Sequence, residues 1–113
     1  MQSARTRFYT DFSVLIGNAK SQAAVMVLEP GATEGSADNR HRGADQWLIV
    51  MDGLGEVIIE GATTELAYGV VVLIEHGEAH EIRNTGQTPL KIISIYAPPA
   101  YDTDGELLPA GKP

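Results

Sequence analysis

Two polar clusters contain the side chains that could do chemistry in this chain. The first lies directly before the apolar segment 47–51, and the second lies directly after the apolar segment 70–74. The imidazole and amide groups that they offer are Asn39, His41, Gln46 and His80. Because each cluster adjoins a short buried strand, the two predict a small-molecule pocket closed by two hairpins that are distant in the sequence.

Glycine and proline divide the chain into short segments with the character of strands. No segment has the 3.6-residue apolar periodicity of a helix. Many short strands separated by turn signals are typical of an all-β barrel or sandwich. The predicted strands are 8–16, 23–28, 47–51, 56–60, 64–68, 70–74, 80–83 and 90–97.

Two segments carry no strand signal. Residues 32–45 form the longest region without apolar periodicity, and a loop of this length in a small domain is usually functional. Residues 98–113 contain four of the six prolines, so we predict an irregular tail that wraps over the domain. The chain is expected to be one domain, 1–113, with its barrel core at about 23–98.

Composition excludes several classes of protein. The net charge of -7 argues against a nucleic-acid partner, because that affinity depends on Lys and Arg neutralising phosphates. The absence of cysteine excludes disulfides and thiolate metal sites. No apolar run is long enough for a signal peptide or a membrane span, so we expect a soluble cytoplasmic protein. Arg40 and Arg42, which flank His41, could attract an anion locally.

Three predicted strands, 23–28, 47–51 and 70–74, are apolar at successive residues. A strand with one face in water should alternate between apolar and polar residues, so these three are predicted to be covered on both faces. In a domain of this size the second cover would be another subunit. We therefore expect a homodimer.

The first cluster resembles the first motif of the cupin superfamily, small barrels built as a double-stranded β-helix. That motif has Gly, five residues, His-x-His, three or four residues, Glu, six residues and Gly. This chain has Asn39-x-His41, four residues, Gln46, six residues and Gly53. An alternative register makes His41 the first histidine, but it leaves only two residues between Gly43 and Gln46, which is too few. We prefer the first register.

The second cluster resembles the second cupin motif at every spacing. That motif has Gly, five residues, Pro-x-Gly, two residues, His, three residues and Asn. The matching residues here are Gly69, Glu75-x-Gly77, His80 and Asn84. The resemblance covers about 23–98 and implies an all-β, double-stranded β-helix barrel.

The resemblance also implies a metal site inside the barrel. In metal-binding cupins the histidines and glutamate of the first motif and the histidine of the second hold one divalent ion. His41 and His80 match two of these ligands, whereas Asn39 replaces a histidine and Gln46 replaces the glutamate. The expected cofactor is one divalent ion, with Zn, Ni, Fe, Mn and Cu all open. Because amide oxygens are neutral, weak donors, we expect a small anionic ligand to complete the shell.

Four further side chains have predicted positions. His76 lies in a turn and should be exposed, and Trp47 should point away from the barrel interior. Ser94 and Tyr96 share a face with the apolar residues of the last strand. If that face lines the cavity, Tyr96 could donate a hydrogen bond to a ligand; the alternative is a core tyrosine.

Two functions remain open from the sequence. The first is a metal-dependent oxygenase, isomerase or lyase acting on a small anionic substrate. The second is a non-catalytic cupin, either ligand-binding or structural, whose metal site has degenerated. In that second case Gln46 would hydrogen-bond a histidine and Asn39 would close an Asx turn.

Overall fold

The computed structural model describes residues 1–113 and contains nine strands. They are β1 (Phe12–Gly17), β2 (Gln22–Leu28), β3 (Thr33–Gly35), β4 (Asp45–Asp52), β5 (Gly55–Ile59), β6 (Ala62–Leu66), β7 (Val71–Ile74), β8 (His80–Asn84) and β9 (Leu90–Ala97). The only helix is a three-residue 3-10 turn, Pro109–Gly111, and none is long or apolar enough to cross a membrane. The predicted all-β class is confirmed.

The strands form two antiparallel sheets that pack face to face. The larger sheet has the order β1-β2-β9-β4-β7, and the smaller has the order β3-β8-β5-β6. The apolar core between them takes residues from both sheets: Met26, Leu28, Leu48, Val50, Val57, Leu66, Ile74, Ile82, Leu90 and Ile92. Burial of this surface supplies the main driving force for folding.

The inner face of the larger sheet changes from apolar to polar along its strands. On β9 the buried residues alternate, and the inward side chains run from Leu90 through Ser94 to Tyr96. Gln46 on β4 is the register partner of Tyr96, so both side chains point into the barrel. The polar end of the barrel is therefore built by β4 and β9, which are adjacent in the sheet but far apart in the sequence.

The structure corrects three predicted boundaries. Residues 32–45 are not wholly loop, because Thr33–Gly35 forms β3 and pairs with β8. The first strand starts at Phe12, four residues later than predicted, and the predicted strand 64–68 lies at Ala62–Leu66. Strand β3 was missed because its sequence, Thr-Glu-Gly, has no apolar residue.

The prediction that three strands are covered on both faces holds only for β2. There, residues 24–28 are all buried, because the N-terminal segment crosses the outer face. One contact in that cover is the Phe8 ring, whose centroid lies 5.9 Å from Nζ of Lys91, the register partner of Val27. On β4 and β7 the prediction is wrong within one chain, since the outer side chains are exposed: Trp47, Met51, Val71 and Leu73.

We propose that a second copy of this chain covers that apolar face. Trp47 is paired with Leu73 and Ile49 with Val71, so these four side chains form one continuous outer patch without a carboxylate. Because these four side chains are uncharged, two copies can meet there without burying a carboxylate of the patch.

Leu73→Glu is expected to convert the dimer into a monomer. It would bury two unpaired carboxylates near the two-fold axis and weaken association by about 100-fold or more. The measurement is size-exclusion chromatography with light scattering. Leu107→Glu, at an exposed leucine outside the patch, is the matched control. A monomeric wild-type protein at micromolar concentration would contradict the proposal.

The C-terminal tail, residues 98–113, folds back against the polar end of the barrel, as predicted. The side chain of Gln22 holds its first part: Oε1 accepts hydrogen bonds from the N–H groups of Ala100 and Tyr101, and Nε2 donates to the Tyr101 carbonyl. The tail is more regular than predicted, because Tyr101 and Leu107 form a β-bridge before the 3-10 turn.

Candidate metal centre

His41 and His80 lie side by side at the polar end of the barrel. Their ring centroids are 5.3 Å apart, and the side chains are almost fully buried. Two backbone hydrogen bonds bring the segments together: the His80 N–H donates to the Asn39 carbonyl at 2.8 Å, and the Gly77 N–H donates to the His41 carbonyl at 2.7 Å. The two motif histidines therefore occupy one buried site.

Nδ1 of His41 lies 2.6 Å from the carbonyl oxygen of Gly111. A carbonyl oxygen can only accept, so Nδ1 carries the proton of the neutral ring. Nε2 then has a free lone pair, and no group of the chain forms a hydrogen bond with it. This is the state in which an imidazole binds a metal ion, since the second nitrogen is held by a backbone acceptor.

His80 has the same tautomer for the same reason. Its Nδ1 lies 3.1 Å from the Glu78 carbonyl, and its Nε2 lies 3.2 Å from Nδ2 of Asn39, so Nε2 accepts from the amide. Burial lowers the pKa of His80 below its ordinary value of 6.5; the hydrogen bond to the Glu78 carbonyl acts in the opposite direction, and the repulsion that would arise if both imidazoles were protonated lowers it further. The ring is neutral at neutral pH.

Gln46 is buried with half of its amide unpaired. Nε2 donates to Oγ of Ser94 at 3.3 Å, but Oε1 is sealed from solvent and has no partner. Leaving a buried acceptor unsatisfied costs about 1–3 kcal/mol, and such atoms in a folded protein commonly mark a ligand or ion. Strand pairing places Gln46 next to Tyr96, whose ring centroid lies 5.6 Å from that of His41. The alternative in which Gln46 hydrogen-bonds a histidine is wrong.

Asn39 is half-buried and faces His80. Its amide packs against Gly35, where a Cβ would lie 2.8 Å from Nδ2 of Asn39 and 2.6 Å from the His80 carbonyl oxygen. The φ of Gly35, +81°, also favours glycine. The Asx-turn alternative for Asn39 is wrong, because no backbone N–H donates to its Oδ1; its Nδ2 donates to Nε2 of His80 instead. As a metal ligand, Asn39 would have to present Oδ1 in place of Nδ2.

Two tyrosines pack against His41. Tyr96 is fully buried and, as predicted, shares the inner face of β9; its ring lies 5.2 Å from that of Tyr101. Tyr101 also lies 6.1 Å from the His41 ring. Burial raises the pKa of Tyr96 well above its ordinary value of 10.0, and burial raises that of Tyr101 too, so both are protonated phenols at neutral pH.

Sequence reasoning missed Tyr101, Gly111 and Glu34. The first two lie in the tail, where no motif marks them. Glu34 lies on β3 opposite Ile82, whose side chain faces the core, so Glu34 is directed toward the same side of the sheet. Its negative charge adds to the rise in the pKa of both tyrosines.

The sequence predicted a pocket inside the barrel, but the main cavities of the protein do not contain the centre. The three main cavities lie elsewhere, and none is lined by His41, Gln46 or His80. The largest, about 820 Å³, is a groove between β1 and the C-terminal tail. Tyr96 and Tyr101 pack beside His41, with ring centroids 5.6 and 6.1 Å from that of His41.

The donor atoms fit a divalent ion with nitrogen and neutral oxygen ligands. No group of three or more His, Cys, Asp or Glu side chains is present that could hold a metal. The donors are instead Nε2 of His41, Nε2 of His80 and the orphaned Oε1 of Gln46. Mixed imidazole and oxygen sets of this kind are compatible with several first-row metals.

Two basic residues near the centre are engaged elsewhere. His76 is exposed, as predicted, and its Nδ1 lies 2.9 Å from Oδ1 of Asp45. This contact, with the hydrogen bond from the His76 N–H, lowers the pKa of Asp45. Arg42 donates from Nε to the Pro113 carbonyl at 3.1 Å, so it holds the tail rather than standing free for an anion.

Residues 24–96 match the model of a family described as the cupin domain. One relative, named uncharacterized protein YrkC, comes from Bacillus subtilis (strain 168). It is 34% identical over 67 residues, which cover 54% of this chain. The chain spans only 36% of the length of that relative.

Two solved structures are similar over most of this chain. BH2720 of Bacillus halodurans has a TM-score of 0.77 at 30% identity, covering 89% of this chain and 79% of that one. A Thermotoga maritima protein described as a predicted oxalate decarboxylase has a TM-score of 0.70 at 26% identity, covering 78% and 79%. The fold is the double-stranded β-helix that the motifs implied, and the chain belongs to the cupin family.

Proposed function

We propose that this protein binds one divalent metal ion through His41, His80 and Gln46. The observation that carries the proposal is the buried, unpaired Oε1 of Gln46, together with two adjacent imidazoles whose Nδ1–H groups are already donated to carbonyls. A bound ion would give Oε1 of Gln46 and Nε2 of His41 a partner, and it would take the place of Asn39 at Nε2 of His80. Asn39 would join this set after rotation of its amide.

The charge balance of the centre favours an anionic substrate. All of the proposed ligands are neutral, so a divalent ion would keep its full charge in a buried, poorly solvated site. Such an ion attracts an anionic oxygen ligand to complete its shell. It would supply Lewis acidity to that oxygen, and the phenols of Tyr96 and Tyr101, whose rings lie 5.6 and 6.1 Å from that of His41, would donate hydrogen bonds to the same anion.

The proposed activity is a metal-dependent reaction of a small carboxylate, in the class of oxygenases, isomerases and lyases. The similar Thermotoga maritima structure, described as a predicted oxalate decarboxylase, supports a small carboxylate as the substrate class.

Calorimetric titration with and without metal tests this proposal. Chelator-treated protein is titrated first with Zn²⁺, Ni²⁺ or Mn²⁺, and the loaded and metal-free forms are then titrated with oxalate as a probe. We expect one ion per chain and oxalate binding only to the loaded form. The proposal is contradicted if no ion binds at stoichiometric level, or if oxalate binds the metal-free protein equally well.

A non-catalytic cupin is the second candidate, and one contact favours it. The Asn39 amide already donates to Nε2 of His80, which satisfies that ring without a metal. In this case the centre would be a structural polar core. The two candidates differ in the same titration, since a structural core would bind neither ion nor oxalate.

A further inference from the structure

The structure points to Gly111 as a positioning residue for His41. We propose that its backbone carbonyl fixes the tautomer and direction of the imidazole, so that the C-terminal tail is a working part of the centre. The effect on metal affinity rests on the proposed function, whereas the effect on the tautomer does not. No cupin motif includes this part of the chain.

Three consecutive residues are fastened to the 3-10 turn of the tail. The Arg42 N–H donates to the Lys112 carbonyl at 2.7 Å, and the Gly43 N–H donates to the Ala110 carbonyl at 3.0 Å. Between these two contacts, Nδ1 of His41 donates to the Gly111 carbonyl at 2.6 Å. The acceptor is therefore held on both sides by backbone hydrogen bonds, and its direction is set by the turn rather than by a flexible side chain.

The tautomer of a neutral histidine follows from the hydrogen bond that one ring nitrogen makes. Here the Gly111 carbonyl places the proton on Nδ1 and leaves the lone pair of Nε2 directed toward the site. Without this acceptor the buried ring could carry its proton on Nε2, and Nε2 would then be unable to bind a metal. Partners of this kind typically contribute 10- to 100-fold to metal affinity.

Residue 111 must be glycine for the turn to sit where it does. A Cβ at this position would collide with the carbonyl oxygen of Ala100 and would lie 2.9 Å from the Ala100 Cβ. Ala100 is itself completely buried and held by the Gln22 amide, so it cannot give way easily. A side chain at 111 should therefore push the turn, with its carbonyl, away from His41.

Gly111→Ala, with Gly43→Ala as control, tests the proposal. Gly43 donates its N–H to the Ala110 carbonyl of the same turn, and Gly43→Ala keeps that N–H. There is room for the added Cβ, which would lie 3.5 Å from Ala110. The readout is the ¹⁵N NMR spectrum of the imidazoles in chelator-treated protein, assigned with His76→Gln and His80→Gln. Metal affinity is measured in parallel.

We expect wild type and Gly43→Ala to show His41 with a protonated Nδ1 and an unprotonated Nε2. In Gly111→Ala we expect a mixture of tautomers and a metal affinity about 10- to 100-fold weaker.

An Nε2–H tautomer of His41 in the wild-type protein overturns the proposal. This measurement needs no variant, so it tests the proposal even if Gly111→Ala does not fold. An unchanged tautomer in folded Gly111→Ala also overturns it. If the tautomer behaves as expected but the wild type binds no ion, the positioning role stands and the proposed function fails.

Discussion

His80→Ala is expected to abolish stoichiometric binding of a divalent ion. The change removes one of only two imidazoles at the centre and leaves His41 with amide oxygens as the remaining donors. Neutral amide oxygens bind first-row metals weakly, so we expect the affinity to fall by at least about 100-fold, or ~3 kcal/mol. Metal content after dialysis, measured on protein without a histidine tag, gives the result directly.

His76→Ala is the matched control for that change. His76 lies in the turn between β7 and β8, just before His80, but it is exposed and paired with Asp45. Loss of its imidazole should therefore leave the metal content unchanged. The unfolding transition in chelator identifies any loss of fold in His80→Ala, because His80 is buried and its removal leaves a cavity. Equal metal content in His80→Ala and wild type would mean that the ion binds elsewhere.

Gln46→Glu is expected to have opposite effects on metal affinity and on the stability of the metal-free protein. Restoring a carboxylate should tighten divalent binding by about tenfold or more, since an anionic oxygen replaces a neutral one. In the absence of metal the same carboxylate is buried without a cation. Its pKa should rise, and the free energy of unfolding should fall by about 1–3 kcal/mol.

Gln87→Glu separates this result from a general effect of added charge. Gln87 is exposed on a turn, so the same substitution there should change neither quantity measurably. Titration calorimetry gives the affinity, and urea unfolding in chelator gives the stability. Unchanged or weaker metal binding in Gln46→Glu would show that Gln46 is not a ligand.

The features that the sequence predicted well are those set by local pattern. Most strands were recognised because apolar runs are bounded by glycine or proline, and the spacing of His41 and His80 within two motifs indicated that they would meet. Asn84, the last residue of the second motif, shapes the backbone, since its Nδ2 donates to the carbonyls of Leu28 and Thr88.

The features that the sequence did not predict depend on long-range contacts that no side-chain pattern indicates. The acceptor for His41 is a backbone carbonyl 70 residues away in a tail whose prolines suggested only irregular structure. Tyr101 packs beside His41 because Gln22 fastens its backbone, a pairing that no motif encodes. The exposure of Trp47 and Leu73 was also not predictable, because the N-terminal segment covers one half of the outer face and leaves the other half free.

Anomalous X-ray diffraction from crystals of the Co²⁺-loaded protein tests the metal centre most directly. The proposed site predicts a single strong peak per chain between the two imidazoles, at roughly 2.0–2.2 Å from Nε2 of His41 and Nε2 of His80, with Oε1 of Gln46 as an oxygen ligand. A peak at His76 and Asp45, or no peak at all with Asn39 still donating to His80, would contradict it.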